Sequence, residues 1–338
     1  MTVTARSRPG YLYYPGCSLH STATEYNEST QVLLGALGFT YEQVEDWNCC
    51  GATPAHATSD FLTLALPLRN LINAEKQVES WRVRAGDGDG ASGAPAPGPG
   101  DGSGPPERVD VLVPCAACYN SFRLAERTVR DGGPQAEELN REMKEITGRA
   151  FGGSVGTRHP LDLLGSRDML ARVRSLVRKP LNGLKVACYY GCLLVRPSRI
   201  VSFEPDPEHP MAMDNFMAAL GAEPVRWSYK TDCCGQSMSI AERELVTELT
   251  NRITRAAAAA GAQAIVTACP LCMMNLDSRQ VPAEPGQPLL PVFFFTELAA
   301  VALGVGNPKA WFKRHLIDVG PALGVLEARE SARTARTA

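Results

Sequence analysis

Short apolar runs alternate with longer amphipathic runs along the chain. Four of the apolar runs have the length and the β-branched or aromatic content of buried strands. They are GYLYYPGC at 10–17, VDVLVPCAAC at 109–118, LKVACYYGC at 184–192 and AQAIVTACPLC at 262–272. Segments with a helical spacing of apolar residues lie between them, at 23–38, 59–77, 212–221 and 242–261. Strands that alternate with helices predict parallel sheets with helices on both faces.

The order of these segments is the same in the two halves of the chain. We therefore expect two similar Rossmann-like α/β domains, at 8–178 and 179–326, related by a pseudo-twofold axis. Helical runs at 136–150 and 159–177 are predicted to connect the two domains.

The cysteines also repeat in one order. Each half has a single cysteine, then Cys-Cys-Gly, then Cys-x-x-Cys. The first set is Cys17, Cys49, Cys50, Cys115 and Cys118, and the second set is Cys192, Cys233, Cys234, Cys269 and Cys272. Only Cys188 lies outside the two sets. We expect every member of a set at the carboxyl end of a strand or in the loop after it, where open α/β sheets form their sites.

The two halves differ in length because of one insertion. There are 64 residues between Cys50 and Cys115 but 34 between Cys234 and Cys269. Most of the difference is the segment 84–107, which is dense in Gly, Pro, Ser, Asp and Ala. Such a composition buries too little apolar surface to order itself, so we expect a disordered surface insertion that leaves the site intact.

The composition is typical of a globular protein that stays in the cytoplasm. The chain has 338 residues, 44% of them hydrophobic, which is enough for two domain cores. A formal net charge of −2 gives no basic field that would favour nucleic acid. The N-terminal residues lack the apolar core of a secretory signal, and the apolar stretch 289–306 contains Glu297, which favours a buried strand followed by a helix. We expect no transmembrane segment in this chain, and in a reducing cytoplasm its cysteines serve metal binding or redox chemistry.

Five cysteines per half fit a polynuclear cluster better than a single metal ion. Zn²⁺ takes four ligands, and Cys-x-x-Cys is its usual half-site. Adjacent side chains such as those of Cys49 and Cys50 diverge, so they share one metal ion only with strain. In an iron–sulfur cluster neighbouring thiolates bind different irons, and Gly51 and Gly235 allow a tight turn beside them. The residues favour iron–sulfur clusters, while zinc and a dithiol redox pair stay open.

Other redox motifs are absent from the sequence. It contains no C-x-x-C-x-x-C-x-x-x-C-P run of the bacterial ferredoxin type, no G-x-G-x-x-G and no P-loop lysine motif. Electrons for a redox reaction must therefore come from another protein.

The doubled cysteine pattern resembles the cysteine-rich CCG domain that occurs in tandem in the B subunit of heterodisulfide reductase. Relatives of this domain occur in thiol:fumarate reductases, some succinate dehydrogenases and sulfur-oxidising assemblies. The resemblance covers residues 11–306 and includes the segments YYPGCS, YYGCLLVRP, CCGQSM, CPLCMMNLD and PVFFFTELAAVALG.

The resemblance implies a cofactor, a reaction and partners. In the family each CCG motif binds a noncubane [4Fe-4S] cluster through five cysteines, so the two sets above would bind two clusters. A disulfide is reduced, or thiols are oxidised, between the clusters, with Cys49, Cys50, Cys233 and Cys234 at the catalytic sites. The implied partners are a ferredoxin-like iron–sulfur subunit and a flavoprotein, and the substrate is a small-molecule or lipoyl-type disulfide or thiol. The chain would be cytoplasmic, or peripheral at the inner face of the membrane through its partners.

Two other functions stay open. An electron-transfer or anchor subunit of a succinate dehydrogenase or thiol:fumarate reductase-like complex would use the same clusters, and a zinc-stabilised scaffold would use the same cysteines. Cys188 would replace Cys192 as a ligand if its strand ended earlier, but the similarity of YGC to the PGC around Cys17 favours Cys192.

Six more side chains are candidates for lesser roles: His20, His56, His159, Arg123, Arg196 and Lys230. The first two histidines would donate to a cluster or protonate a product thiolate, although a polar loop residue is the simpler interpretation. The third opens a helical run and is interpreted as a packing or capping residue. The three cations would bind an anionic substrate, but a solvated or structural charge is the simpler interpretation of each.

Overall fold

The computed structural model describes residues 10–84, 108–201, 203–282 and 288–337. Its strands are β1 (Tyr11–Tyr13), β2 (Tyr41–Gln43), β3 (Val109–Leu112), β4 (Val155–Arg158), β5 (Lys185–Tyr189), β6 (Glu223–Pro224), β7 (Ala264–Thr267) and β8 (Val292–Phe294). They form two four-stranded sheets with the orders β2-β1-β3-β4 and β6-β5-β7-β8, and all neighbouring strands are parallel. The two sheets have the same order, which confirms the predicted α/β fold with two similar domains.

Helices connect the strands. They are α1 (Gly16–His20), α2 (Thr24–Ala36), α3 (Ala55–Thr58), α4 (Asp60–Arg84), α5 (Ala116–Asp131), α6 (Pro134–Thr147), α7 (Pro160–Leu164), α8 (Arg167–Leu176), α9 (Ala212–Ala219), α10 (Arg243–Ala259), α11 (Pro270–Ser278), α12 (Phe295–Leu303), α13 (Pro308–Phe312) and α14 (Gly320–Thr337). A short 3₁₀ helix spans Gln236–Met238. None of the described helices is both long enough and apolar enough to cross a bilayer.

The Cα positions form two compact units. The first is drawn from Met1–Cys17, Leu34–Pro114 and Cys118–Pro160 and contains the sheet of β1 to β4. The second is drawn from Ser18–Leu33, Cys115–Ala117 and Leu161–Ala338 and contains the sheet of β5 to β8. Most of α2 and the first two residues of α5 therefore belong to the second unit.

The central strands are buried because helices cover both faces of a parallel sheet. All four residues of β7 are buried, and so are Leu12 and Tyr13 of β1 and Val111 and Leu112 of β3. The apolar stretch at 289–306 forms β8 and then α12, as predicted. Glu297 is at the third position of α12, where its carboxylate accepts a 2.9 Å hydrogen bond from the Phe294 N–H and closes the first turn.

The structure adds elements to the predicted ones, among them β2, β6, α5 and α11. Residues 155–158 form an edge strand, β4, in a region where only helices were predicted. The helix predicted at 59–77 is α4, which continues beyond the predicted end to Arg84. The chain also adds α13 and α14 after the last predicted helix. The insertion predicted at 84–107 lies, from residue 85 on, outside the described residues.

Candidate metal centres

In the first unit, loops at the carboxyl edge of the sheet carry four cysteines. Cys17 lies in α1, which starts three residues after β1 ends, and Cys49 and Cys50 follow β2. Cys118 lies in the first turn of α5. Cys17 and Cys49 are exposed, whereas Cys50 and Cys118 are buried. The site thus has one solvent-facing side and one side within the core.

The two adjacent cysteines of this site pair with different partners. The Sγ atoms of Cys49 and Cys17 are 3.9 Å apart, and those of Cys50 and Cys118 are 3.0 Å apart. Hydrogen bonds with Cys118 and Cys49 lower the pKa of Cys50 well below its usual value, although burial opposes this shift. Cys50 therefore contacts both Cys118 and its neighbour Cys49, while Cys49 also approaches Cys17.

The second unit repeats this pairing. Cys192 hydrogen-bonds with Cys233, and the Sγ atoms of Cys234 and Cys272 are 3.6 Å apart. The hydrogen bond with Cys192 lowers the pKa of Cys233 to about 6. Cys269 is the N-cap residue of α11, whose first turn carries Cys272. In both units the single cysteine pairs with the first cysteine of Cys-Cys, and the second pairs with the last cysteine of Cys-x-x-Cys.

The first cysteines of the two Cys-x-x-Cys motifs contact each other. Cys115 belongs to the second unit, where its thiol hydrogen-bonds with Cys269. The hydrogen bond with Cys115 and, as the next largest cause, the one with Cys272 lower the pKa of Cys269 well below its usual value. The structure thus brings Cys17, Cys49, Cys50 and Cys118 together in the first unit and places Cys115 beside a member of the second set.

The glycine after each Cys-Cys turns the chain and contacts the preceding thiol. Gly51 and Gly235 have φ angles of +72° and +78°, a conformation that favours glycine. The Gly51 N–H donates to Cys49 Sγ over 3.4 Å, and the Gly235 N–H donates to Cys233 Sγ over 3.3 Å. A Cβ atom on Gly51 would lie 2.7 Å from Leu66 Cδ1. Both loops therefore favour glycine because of their backbone conformation. At Gly51 there is also too little room for a Cβ atom.

Sequence reasoning missed a buried tyrosine in each site. The Tyr14 hydroxyl donates to the carbonyl of Asn48, and the Tyr189 hydroxyl donates to the carbonyl of Asp232. Both carbonyls belong to the residue immediately before Cys-Cys. Burial raises the pKa of both tyrosines, and the neighbouring cysteines raise it further, so the hydroxyls stay protonated and can donate. The repeated pattern Tyr-x-Gly-Cys, at the ends of two predicted strands, is the signal in the sequence for this tyrosine.

Cys188 lies apart from the second set. It is a fully buried residue of β5. Burial raises the pKa of its thiol, and the nearby Asp214 charge raises it further. Cys192, and not Cys188, has the hydrogen bond with Cys233.

Two of the three candidate cations have structural partners in the second unit. Arg196 donates to the Thr231 carbonyl over 3.0 Å and to Thr231 Oγ1 over 3.1 Å, and it forms an ion pair with Glu208. Lys230 is buried, 2.8 Å from Asp214 Oδ2, and donates to the Pro210 carbonyl. These bonds fix the segment between β5 and α9 against the loop that leads to Cys233.

The remaining candidates are Arg123, His159 and His56 of the first unit and His20 of the second. Arg123 forms a 3.2 Å ion pair with Glu126. His159 is fully buried, and its Nε2 donates to the Pro114 carbonyl over 2.7 Å, which fits the predicted packing role. His20 and His56 are exposed residues of α1 and α3.

The donor sets fit a polynuclear cluster. Among the described residues, no three Cys, His, Asp or Glu side chains converge as ligands of a single metal ion. Several thiols have two thiol neighbours: Cys50 bonds with Cys118 and Cys49, and Cys272 bonds with Cys234 and Cys269. A backbone N–H is directed at one sulfur of each site. Thiolates that bind different irons of one cluster, with N–H donors to sulfur, are features of iron–sulfur sites.

Comparisons with known proteins agree with the repeated site. Residues 11–83 and 186–277 both match the CCG family, described as a cysteine-rich domain. The chain is 27% identical to the B subunit of the ferredoxin:CoB-CoM heterodisulfide reductase of Methanosarcina mazei, over 90% of this chain and 92% of the relative. It is 26% identical to the 8-methylmenaquinol:fumarate reductase membrane anchor subunit of Wolinella succinogenes, over 91% of this chain and 97% of the relative.

A solved structure shares the fold. The crystal structure of a hypothetical protein from Helicobacter pylori superposes with a TM-score of 0.63 at 12% sequence identity. The match covers 92% of this chain but 53% of that one, so this chain spans about half the length of that protein.

Proposed function

We propose, from the premise that this chain is a tandem CCG-domain protein, that it is the disulfide-reducing or thiol-oxidising iron–sulfur subunit of a heterodisulfide reductase-like complex. Its proposed cofactors are two noncubane [4Fe-4S] clusters, one for each set of five cysteines. Its proposed partners are a ferredoxin-like subunit and a flavoprotein, and its proposed location is the cytoplasm or the inner face of the membrane.

The repeated thiol pairing supports this proposal most strongly. In both units the Cys-Cys dipeptide contributes one thiol to each of two pairs. The sulfur–sulfur distances are 3.9 and 3.0 Å in the first unit and 3.6 Å for Cys234 and Cys272 in the second. A polynuclear cluster uses both thiolates of such a dipeptide, whereas a tetrahedral zinc site strains it.

The reaction requires two electrons and two protons for each disulfide. A bound cluster would supply electrons one at a time and a Lewis-acidic iron for sulfur. The sulfur–sulfur bond breaks, each sulfur takes up one electron and one proton, and two thiols leave. The electrons come from the ferredoxin-like partner, and in the opposite direction two thiols give up the same electrons and protons. The chain itself holds the cysteine loops in place and covers their inner side with core residues.

Metal and sulfide analysis of the anaerobically purified chain tests the cofactor. Two clusters correspond to about eight irons and about eight acid-labile sulfides per chain. A colourless protein that contains one or two zinc ions would reject the proposal and support the scaffold.

Substrate-dependent EPR tests the reaction. A thiol substrate should produce a signal from the clusters, and Cys234→Ser should abolish the part that arises from the second site. Cys188→Ala is the matched control because that thiol lies in the core of β5, so it should keep the signal. Unchanged turnover in Cys234→Ser would show that the second site is not catalytic.

The similarity to a fumarate reductase subunit supports a second candidate. An electron-transfer or anchor subunit of a fumarate or succinate-oxidising complex would contain the same clusters without a disulfide substrate. Purification of the native complex separates the two functions. Covalent FAD in a partner subunit together with succinate-dependent quinone reduction would favour this second function over disulfide chemistry.

A further inference from the structure

We infer that Tyr14 and Tyr189 are positioning residues that hold each Cys-Cys-Gly loop in place, and that only in the second site does the carbonyl before Cys-Cys depend on its tyrosine alone. This inference rests on the proposed function, because the loops in question are those that would hold the clusters.

The hydroxyl groups occupy equivalent positions in the two repeats. Tyr14 follows β1 and Tyr189 ends β5, and each is two residues before the glycine of Gly-Cys. The Tyr14 hydroxyl donates to the Asn48 carbonyl over 2.8 Å, and the Tyr189 hydroxyl donates to the Asp232 carbonyl over 2.6 Å. Both bonds connect a central strand of the sheet to the backbone immediately before Cys-Cys.

The two rings also lie beside the last cysteine of each set. A Cβ atom on Gly16 would lie 3.0 Å from Tyr14 Cε1 and 3.5 Å from Cys118 Sγ. A Cβ atom on Gly191 would lie 3.1 Å from Cys272 Sγ and 3.6 Å from Tyr189 Cε1. Tyrosine ring, glycine and thiol therefore fill one small space in each unit. One side chain contacts two of the segments that carry cysteines.

The fixed carbonyl determines where the next N–H groups point. Gly51 and Gly235 are three residues after the bonded carbonyls, and their N–H groups donate to Cys49 Sγ and Cys233 Sγ. Hydrogen bonds to the sulfur ligands help to set the potential of an iron–sulfur cluster, because they stabilise the negative charge added on reduction. A loosened loop would weaken this N–H···S bond.

The two sites differ in the number of donors that hold the carbonyl before Cys-Cys. In the first unit the Asn48 carbonyl also accepts a 3.0 Å hydrogen bond from Asn70 Nδ2, and Asn70 Oδ1 accepts from the Asn48 N–H over 2.8 Å. Arg69 donates to Asn48 Oδ1 over 2.9 Å. In the second unit, within the described part of the chain, the Asp232 carbonyl accepts from Tyr189 only, and the next bond to the loop is that of Asn275 Nδ2 to the Cys234 carbonyl over 3.0 Å.

The test compares tyrosine-to-phenylalanine variants. Amide hydrogen exchange of Gly51 and Gly235 is measured in the cluster-free chain, where it reports loop opening without any turnover. Tyr189→Phe should accelerate exchange at Gly235 about fivefold, the effect of one lost hydrogen bond. Tyr14→Phe should accelerate exchange at Gly51 less, since Asn70 remains. Tyr14→Phe combined with Asn70→Ala should remove this difference.

Two further measurements complete the test: the midpoint potential of each cluster, and the rescue of the phenylalanine variant by another hydrogen-bond donor. In the cluster-loaded chain, Tyr189→Phe should lower the midpoint potential of the second cluster and leave that of the first unchanged. Incorporation of 4-aminophenylalanine at position 189 restores a donor and should restore both exchange and potential, which also covers the case of a poorly folded phenylalanine variant. Tyr41→Phe is the control, because this half-buried ring lies on the edge strand β2 and its hydroxyl is at neither loop.

Several outcomes would overturn the inference. Unchanged exchange at Gly235 in Tyr189→Phe would show that the hydroxyl does not secure the loop, and an effect of Tyr14→Phe as large as that of Tyr189→Phe would reject the asymmetry. A wild-type chain without iron would reject the proposed function, but the exchange comparison in the cluster-free chain would still decide the inference.

Discussion

Lys230 Nζ lies 2.8 Å from Asp214 Oδ2, in a part of the second unit where both side chains are almost fully buried. The Tyr190 hydroxyl donates to the same carboxylate oxygen over 2.9 Å, and Lys230 also donates to the Pro210 carbonyl. This buried pair attaches α9 and the segment before it to the loop that leads to the second Cys-Cys. The sequence offers Lys230 as a candidate for an anionic substrate but favours a solvated or structural charge, and the structure gives its ammonium group internal partners.

Lys230→Met should therefore destabilise the chain strongly, by about 3–5 kcal/mol, because it leaves the Asp214 carboxylate buried without its partner. Chemical denaturation of the cluster-free chain at pH 7 measures the free energy of unfolding. Arg127→Ala is the control, since it breaks an exposed ion pair with Asp131 and should cost about 0.5 kcal/mol or less. A similarly small loss in both variants would contradict the structural role of Lys230.

The glycines after Cys-Cys should tolerate alanine poorly. Gly51→Ala places a Cβ atom 2.7 Å from Leu66 Cδ1 and 2.8 Å from Ala55 Cβ, and it forces alanine into a left-handed conformation. We expect a loss of about 1–2 kcal/mol from the conformation and a further ~1–3 kcal/mol from overpacking. Gly148→Ala separates the two effects, because Gly148 has a φ angle of +76° and an added Cβ atom there would have nothing within 4 Å.

Denaturant unfolding of the cluster-free variants provides the comparison. Gly51→Ala should lose more stability than Gly148→Ala, and after reconstitution it should also bind less iron. Equal losses would mean that the space around Gly51 adapts without cost.

The stability of the second unit should fall as the pH rises above the usual pKa of histidine. Burial lowers the pKa of His315, but its hydrogen bond with Glu297 and the charges of Glu297, Asp277 and Glu25 together raise it above its usual value. A group whose pKa is raised by folding contributes its full stability below the unfolded pKa, about 6.5 for histidine, and loses it as the pH passes the folded pKa.

His315→Gln should make this part of the pH dependence flatter. The measurement is the free energy of unfolding at several values between about pH 6 and pH 9, with exposed His56→Gln as the control. The burial of Glu25 raises its pKa too, and the corresponding loss of stability starts near the lower unfolded pKa of a glutamate. An identical pH profile in wild type and His315→Gln would refute the role of this pair.

The cysteine assignment in the second unit is tested by two alanine variants. Cys192→Ala should lose about half of the iron, because it removes a ligand from one of two proposed clusters. Cys188→Ala should retain all the iron and lose only packing within β5. Iron analysis after identical reconstitution decides between them, and the opposite result would assign the ligand to Cys188.

Sequence patterns predicted the central strands well because these strands are continuous apolar runs. β1, β3, β5 and β7 each end shortly before a cysteine, so the carboxyl-edge position of the sets was also predictable. The edge strands carried a weaker signal: β6 has two residues and β4 contains a glycine, and an edge strand needs only one paired side.

The details of the site depended on contacts that spacing does not encode. The pairing of Cys50 with Cys118 joins residues that are 68 positions apart, and the bond from Tyr189 to Asp232 joins residues 43 positions apart. Motif order alone assigns Cys115 and Cys269 to separate sets. Their contact is visible only in the folded backbone.

The second unit connects α10 to β7 through residues 260–263 alone, whereas the same connection of the first unit, from α4 to β3, takes residues 85–108. The fold therefore requires only a four-residue link between this helix and the strand that precedes Cys-x-x-Cys. We therefore expect the first-unit connection to accept a fluorescent reporter, an affinity handle or an electrode tether, which would enter the chain before β3 and Cys115.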